Sequence, residues 1–304
     1  MAKKTIKRLV IIVVTLFLGP SALAAERMTV FVSINPQKYF VQQIGKDLLD
    51  IRVMVPPGAS PATYEPRPKQ MADLSAARVY FAIGVAFEYA WLEKISAVNP
   101  EMKVVHTDDG IIKIPMAAHL HPDQTGEDYR KAGHYTEDEG GGRGLDPHIW
   151  LSPPLVKIQA RTILSALQNI DPGHQESYAA NYSRFIDRID KLDADLKKTF
   201  AGKQHLQFMV FHPAWGYFAR AYGLQQVPVE IEGKSPKPAR LKALIEHARE
   251  KGINVIFVQP QFSSKSAELV AREIGGQVAL ADPLAEDWLA NLTTVADRFK
   301  AALK

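Results

Sequence analysis

Three side chains able to hold a metal ion stand at the ends of separate segments of this 304-residue chain. His212 follows the apolar run 207–211, and Asp282 follows the run 277–281. His148 lies in Asp146-Pro147-His148-Ile149-Trp150, just ahead of a helix start. Runs of this kind read as buried strands, and in open α/β sheets ligands sit beyond the carboxyl ends of the strands. The three could therefore meet in a cleft, where neutral imidazole and carboxylate suit Zn²⁺ at about 2.0–2.2 Å. Each has a structural reading too. A histidine after a strand commonly serves as a hydrogen-bonding residue, and an aspartate before Pro283 as a turn or cap residue. Trp150 and Trp215 read most simply as core aromatics. Spacing alone leaves both readings open.

Further nitrogen donors lie in 115–145, a segment with no sustained periodicity. It holds His119, His121 and His134, many acids, and Gly140-Gly141-Gly142. A loop of this length inside a compact domain is usually functional or disordered. The chain has no cysteine, so any metal site must be built from His, Asp and Glu.

The elements that must position these residues form two series of alternating strands and helices. In the first, strands are expected at 29–34, 51–55, 78–83 and 103–106, with helices at 35–46, 68–76 and 86–98. Asn35-Pro36 is expected to open the first helix as cap and first-turn proline. A helix capped by Ser152-Pro153 follows and stops at Asp171-Pro172-Gly173. The helix at 175–200 carries the stripe Tyr178, Tyr182, Phe185, Ile189, Leu192 and Leu196, spaced four, three, four, three and four residues apart. The second series has strands at 207–211, 226–229, 253–258 and 277–281. Its helices are expected at 214–222, 236–251 (capped by Ser235), 264–274 and 286–303. This is an α/β fold: two lobes with mainly parallel sheets, 25–173 and 201–304, joined by one long backbone helix, 174–200.

Residues 1–24 read as a signal peptide. Lys3, Lys4, Lys7 and Arg8 precede the apolar run 9–18, and Ser21-Ala22-Leu23-Ala24 ends in an A-x-A pattern. The run is shorter than the roughly 20 apolar residues of a membrane span. Its removal leaves basic and acidic residues equal in number, so the pI near 9.0 belongs to the precursor and gives no argument for nucleic acid. A periplasmic protein is expected, soluble because it lacks a cysteine for a lipid anchor.

Five motifs in register resemble one known family. They are Pro57-Gly58 with Tyr64-Glu65-Pro66; Asp146 to Pro153; Phe211-His212-Pro213-Ala214-Trp215; Glu232-Gly233-Lys234-Ser235-Pro236; and Asp282-Pro283-Leu284. The chain resembles the periplasmic metal-binding proteins of ABC transporters that include ZnuA and TroA. The resemblance covers nearly the whole mature chain. It implies metal held between the lobes, with His148, His212 and Asp282 as the second, third and fourth ligands. Where such relatives carry their first histidine this chain has Ala62, and a methyl group binds no metal. Water or a loop histidine, His119 or His121, could fill that position, or tight binding has been lost. Zinc-specific relatives carry a His-rich loop in this segment, and manganese-specific ones tend to have glutamate at the place of His212.

The expected function is capture of a divalent metal, Zn²⁺ before Mn²⁺, and its delivery to an ABC permease by a monomer. Manganese or iron uptake is the alternative. A zinc hydrolase is a further one, since three protein ligands plus water is also a catalytic arrangement. No HExxH motif supports it, although Glu65 could be imagined as its base. Metal storage or adhesion on the same fold is the remaining reading.

Overall fold

The computed structural model describes residues 27–116, 144–230, 236–263 and 265–303. The signal-peptide reading, the candidates His119 and His121, and the cap Ser235 lie outside the described residues.

The first lobe is built on β1 (Met28–Val32), β2 (Leu49–Val53), β3 (Val79–Ala82) and β4 (Lys103–His106). All pair in parallel in the order β2-β1-β3-β4. Val79, Tyr80, Phe81 and Ala82 are all fully buried, as a central parallel strand covered on both faces requires. The helices of this lobe are α1 (Asn35–Gly45), α2 (Pro68–Asp73) and α3 (Ala86–Val98). The expected cap at Asn35 is not what starts α1. Asn35 is already helical, and the buried Gln37 reaches back so that its Oε1 accepts from Ser33 N–H at 3.0 Å. The Gln37 amide also donates to Thr107 Oγ1 at 3.0 Å, which ties α1 to the loop after β4.

Two helices connect the sheets: α4 (Pro153–Ile170) and α5 (Gln175–Thr199). Ser152 stands before α4 but makes no side-chain cap; Pro153, with its preset φ, opens the helix instead. Along α5 the stripe Tyr178, Phe185, Ile189, Leu192 and Leu196 is buried, while Tyr182 is only half-buried.

The second lobe repeats the plan. Strands β5 (Gln207–Val210), β6 (Gln225–Pro228), β7 (Val255–Val258) and β8 (Gln277–Leu280) are parallel in the order β6-β5-β7-β8. Its helices are α6 (Gly216–Ala221), α7 (Pro238–Glu250), α8 (Lys265–Glu273) and α9 (Trp288–Ala302). Asp287 caps α9 by accepting from Ala290 N–H at 3.2 Å.

One apolar core runs across the junction. Trp288 at the start of α9 meets Phe40 of α1 edge-on at 5.2 Å, and Phe299 near its end stacks on Phe208 of β5 at 4.3 Å. The two sheets thus turn their carboxyl ends toward one cleft without being free of each other.

Candidate metal centre

His148 lies just before a short 3-10 turn, Ile149–Leu151, and is nearly buried. Its orientation follows from Asp146 two residues earlier. Asp146 Oδ1 accepts from the His148 backbone N–H at 2.9 Å and from its Nδ1 at 2.7 Å. A carboxylate only accepts, so Nδ1 is the donor of this bond, which leaves Nε2 as the nitrogen that a metal would use. The loop itself is fixed from the other lobe. Tyr217 of α6 donates its hydroxyl to Asp146 O at 2.9 Å and accepts from Ile114 N–H at 3.0 Å. Burial pushes the Tyr217 phenol above its ordinary range, and the nearby Asp146 adds to this, so it stays a donor.

His212 leaves the end of β5 held twice. Its backbone N–H donates to Gln259 Oε1 at 3.1 Å, and Gln259 Nε2 donates back to His212 O at 2.9 Å. Its Nδ1 lies 2.5 Å from Oε1 of Glu230, a carboxylate only 1% exposed. The ring stacks on Phe262 at 4.6 Å. Burial holds the His212 pKa below the usual imidazole value against the pull of the Glu230 hydrogen bond, and His148 adds to the lowering. The ring is therefore neutral near pH 7, the form that binds metals.

The two imidazoles meet. Their ring centres are 5.2 Å apart at 71°. Two imidazoles on one tetrahedral ion, with nitrogen–metal bonds of about 2.0–2.1 Å, have centres roughly 5 Å apart. Each hangs from a buried carboxylate whose other oxygen, Asp146 Oδ2 or Glu230 Oε2, has no hydrogen-bond partner among the described residues. Such second partners fix the tautomer and raise ligand basicity.

Asp282 stands apart from this pair. Its Oδ1 accepts from Gln261 Nε2 at 3.0 Å and from Leu284 N–H at 2.9 Å, and it lines an adjoining cavity of about 220 Å³. The histidines line a larger cavity of about 510 Å³, and Gln261 and Leu284 border both. Among the described residues no three His, Asp or Glu side chains group closely enough to hold an ion. Ala62 lies on the wall of the larger cavity, in a turn next to Pro61. Glu65 is exposed and lines neither cavity. Trp150 is buried, and its Nε1 donates to Pro283 O at 2.7 Å, while Trp288 Nε1 donates to Trp150 O at 2.6 Å. These bonds lock the His148 segment onto the Asp282 segment.

Glu230 and Gln259 were not foreseen. The only sequence signal was position: each is a polar residue just past the carboxyl end of a strand run, as His212 is.

Residues 30–302 match the family described as ZnuA, zinc-uptake complex component A, periplasmic. The chain belongs to the ZnuA family. A crystal structure of ZnuA is 41% identical in sequence, with a TM-score of 0.81 over 92% of this chain and all of that one. The high-affinity zinc uptake system protein ZnuA of Bacillus subtilis (strain 168) is 27% identical over 88% of this chain and 81% of its own length. The laminin-binding protein Lmb of Streptococcus agalactiae, at 22% identity and a TM-score of 0.75, shares the fold. The ZnuA family consists of metal-binding components of ABC transporters, so the hydrolase alternative falls away. No described helix is long and apolar enough to cross a membrane.

Proposed function

We propose that this protein captures Zn²⁺ in the cleft between its lobes, in the periplasm, and delivers it as a monomer to an ABC permease. The observation that carries the proposal is the His148–His212 pair, each imidazole oriented by its own buried carboxylate. Two imidazole nitrogen donors favour zinc over the harder manganese. Asp146 and Glu230 also place two negative charges beside the pair, which offset those of a divalent cation. Asp282 is assigned as the third ligand, joining the ion once it turns from Gln261.

His119 or His121 supplies the remaining donor in place of Ala62. Met116, the last described residue before the segment that holds them, lines the cleft. Zinc uptake in the named Bacillus relative supports the same cargo.

Metal analysis of protein purified without chelator, followed by competition titration of Zn²⁺ against Mn²⁺, tests this. One zinc per chain that manganese does not displace is expected. Protein without zinc, or with a preference for manganese, would overturn the assignment. Delivery is tested by zinc-limited growth of cells that carry the permease with and without this protein.

A further inference from the structure

The smaller cavity, of about 220 Å³, lies between the loops that follow β1 and β2 in one lobe and β7 and β8 in the other. Its lining residues are all described, and neither Met116 nor Gly144 is among them. Its wall offers acceptor oxygens that lack donors. Asn35 is only 7% exposed, and its side-chain amide makes no hydrogen bond among the described residues. Gln261 donates its Nε2 to Asp282, and its buried Oε1 has no partner among them. Asp282 Oδ2 likewise accepts no hydrogen bond, since both bonds to this carboxylate end on Oδ1.

The unbalanced charge is single. Glu286 at the mouth is paired with Lys38 at 2.6 Å, which leaves Asp282 as the uncompensated carboxylate of the wall. A divalent ion would overcharge this cavity. A hydrated one would also gain nothing from its apolar part, Ile34, Val55, Pro56 and Leu284. A monovalent organic cation suits both parts, with its head on the oxygens and its methylenes on the apolar wall. An ammonium has three donors and is strongly hydrated. A guanidinium has five, in a planar fork, and sheds water more readily. Four oxygen-bearing side chains, counting Glu286, favour the guanidinium. One such contact is weak in water, so it fills the cavity only when docking holds it there at high effective concentration. Pro57, Gly58 and Glu286 are exposed at the mouth, so a side chain can enter from outside.

We infer that this cavity takes an arginine side chain of the membrane permease, whose guanidinium holds Asp282 away from the zinc site. The inference rests on the reading of His148, His212 and Asp282 as zinc ligands, and it adds how the partner loosens the ion. Gln261 and Leu284, the two residues bonded to Asp282 Oδ1, border both cavities. One carboxylate cannot serve both, so zinc and guanidinium oppose each other, each by the same factor.

N-acetylarginine amide stands in for the side chain, with uncharged N-acetylcitrulline amide as control at equal ionic strength. With the mature chain, the arginine probe raised to a plateau is expected to weaken zinc binding about fivefold or more in competition titration. The citrulline probe is expected to leave it unchanged. Asn35→Leu removes one oxygen and keeps apolar bulk. Glu286→Gln, at an exposed position, frees Lys38 to repel the guanidinium and leaves the buried wall intact. Each variant is expected to bind zinc as the unaltered chain does, to lose the effect of the probe, and to slow zinc-limited growth of cells that carry the permease. No effect of the arginine probe, or an equal effect of both probes, overturns the inference. Weaker zinc binding by either variant without probe overturns it too. Normal growth with variants that have lost the probe effect makes the cavity a site for free cations and overturns the assignment to the permease. Absence of zinc binding by the unaltered chain defeats the underlying reading instead.

Discussion

The Nδ1 atom of His212 lies 2.5 Å from Oε1 of Glu230, which comes from the neighbouring strand run and is almost wholly shielded from water. The ring nitrogen that faces the cleft owes its free lone pair to this contact. Glu230→Gln keeps the shape but lets the amide present either a donor or an acceptor, so the tautomer is no longer dictated. Zinc affinity is expected to fall 10- to 100-fold, the usual effect of losing such a partner. Competition titration measures it, and an unchanged circular dichroism spectrum shows that the fold survives.

Ala62→His should act in the opposite direction. Ala62 is exposed in a turn on the cavity wall, so the substitution costs little stability. An added imidazole replaces a donor that must otherwise be recruited, and zinc affinity is expected to rise at least tenfold. No gain in affinity would mean that the turn does not face the ion.

Gly216 lets α6 pass close to the site. A Cβ there would stand 2.8 Å from Asp146 Oδ2 and 3.0 Å from Gln226 Nε2. Gly216→Ala therefore pushes on the carboxylate that orients His148. A loss of about 1–3 kcal/mol in stability is expected, the usual cost of overpacking, together with weaker zinc binding. Thermal unfolding with and without zinc separates the two effects.

Asp171 gives a pH-dependent prediction away from the cleft. Burial acts to raise its pKa, but hydrogen bonds from Tyr178 at 2.6 Å and His174 at 2.7 Å outweigh it and hold the carboxyl below its usual range. A depressed folded-state pKa adds stability above the unfolded value of about 3.9, and this is lost as pH falls through the folded value. Asp171→Asn should therefore be less stable at pH 7, by about 1 kcal/mol. It should also lose less than the unaltered chain between pH 5 and pH 2, a range of about the width such titrations span. Parallel denaturant curves for the two chains check the sign.

Much of this was legible in the residues. The apolar runs that became β1, β3, β5 and β7, and the four-three stripe of α5, depend on short-range periodicity, and the chain displays that directly. The pairing of His148 with His212 was visible because His212 follows the strand run of β5 and His148 stands just ahead of a helix start in a motif that the resemblance singles out. Glu230 was missed because its meaning depends on β5 and β6 lying side by side, a long-range fact. Asp282 faces Gln261 for a similar reason: a neighbouring amide and the Leu284 N–H compete for its oxygen, and spacing cannot report that competition. Asn35 lost its expected role to a longer side chain two positions on, since Gln37 can reach both Ser33 and Thr107.

The indoles of Trp150 and Trp288 have a consequence for how cargo must leave. Each donates its N–H across the junction, one to Pro283 O and one to Trp150 O, with the Trp150 ring against His148. Prising the halves apart would strand two buried carbonyls and tear open the aromatic packing of Trp288 on Phe40. On the proposed function, the ion would leave through the mouth of a stiff cup, with rim residues shifting and the vessel left whole.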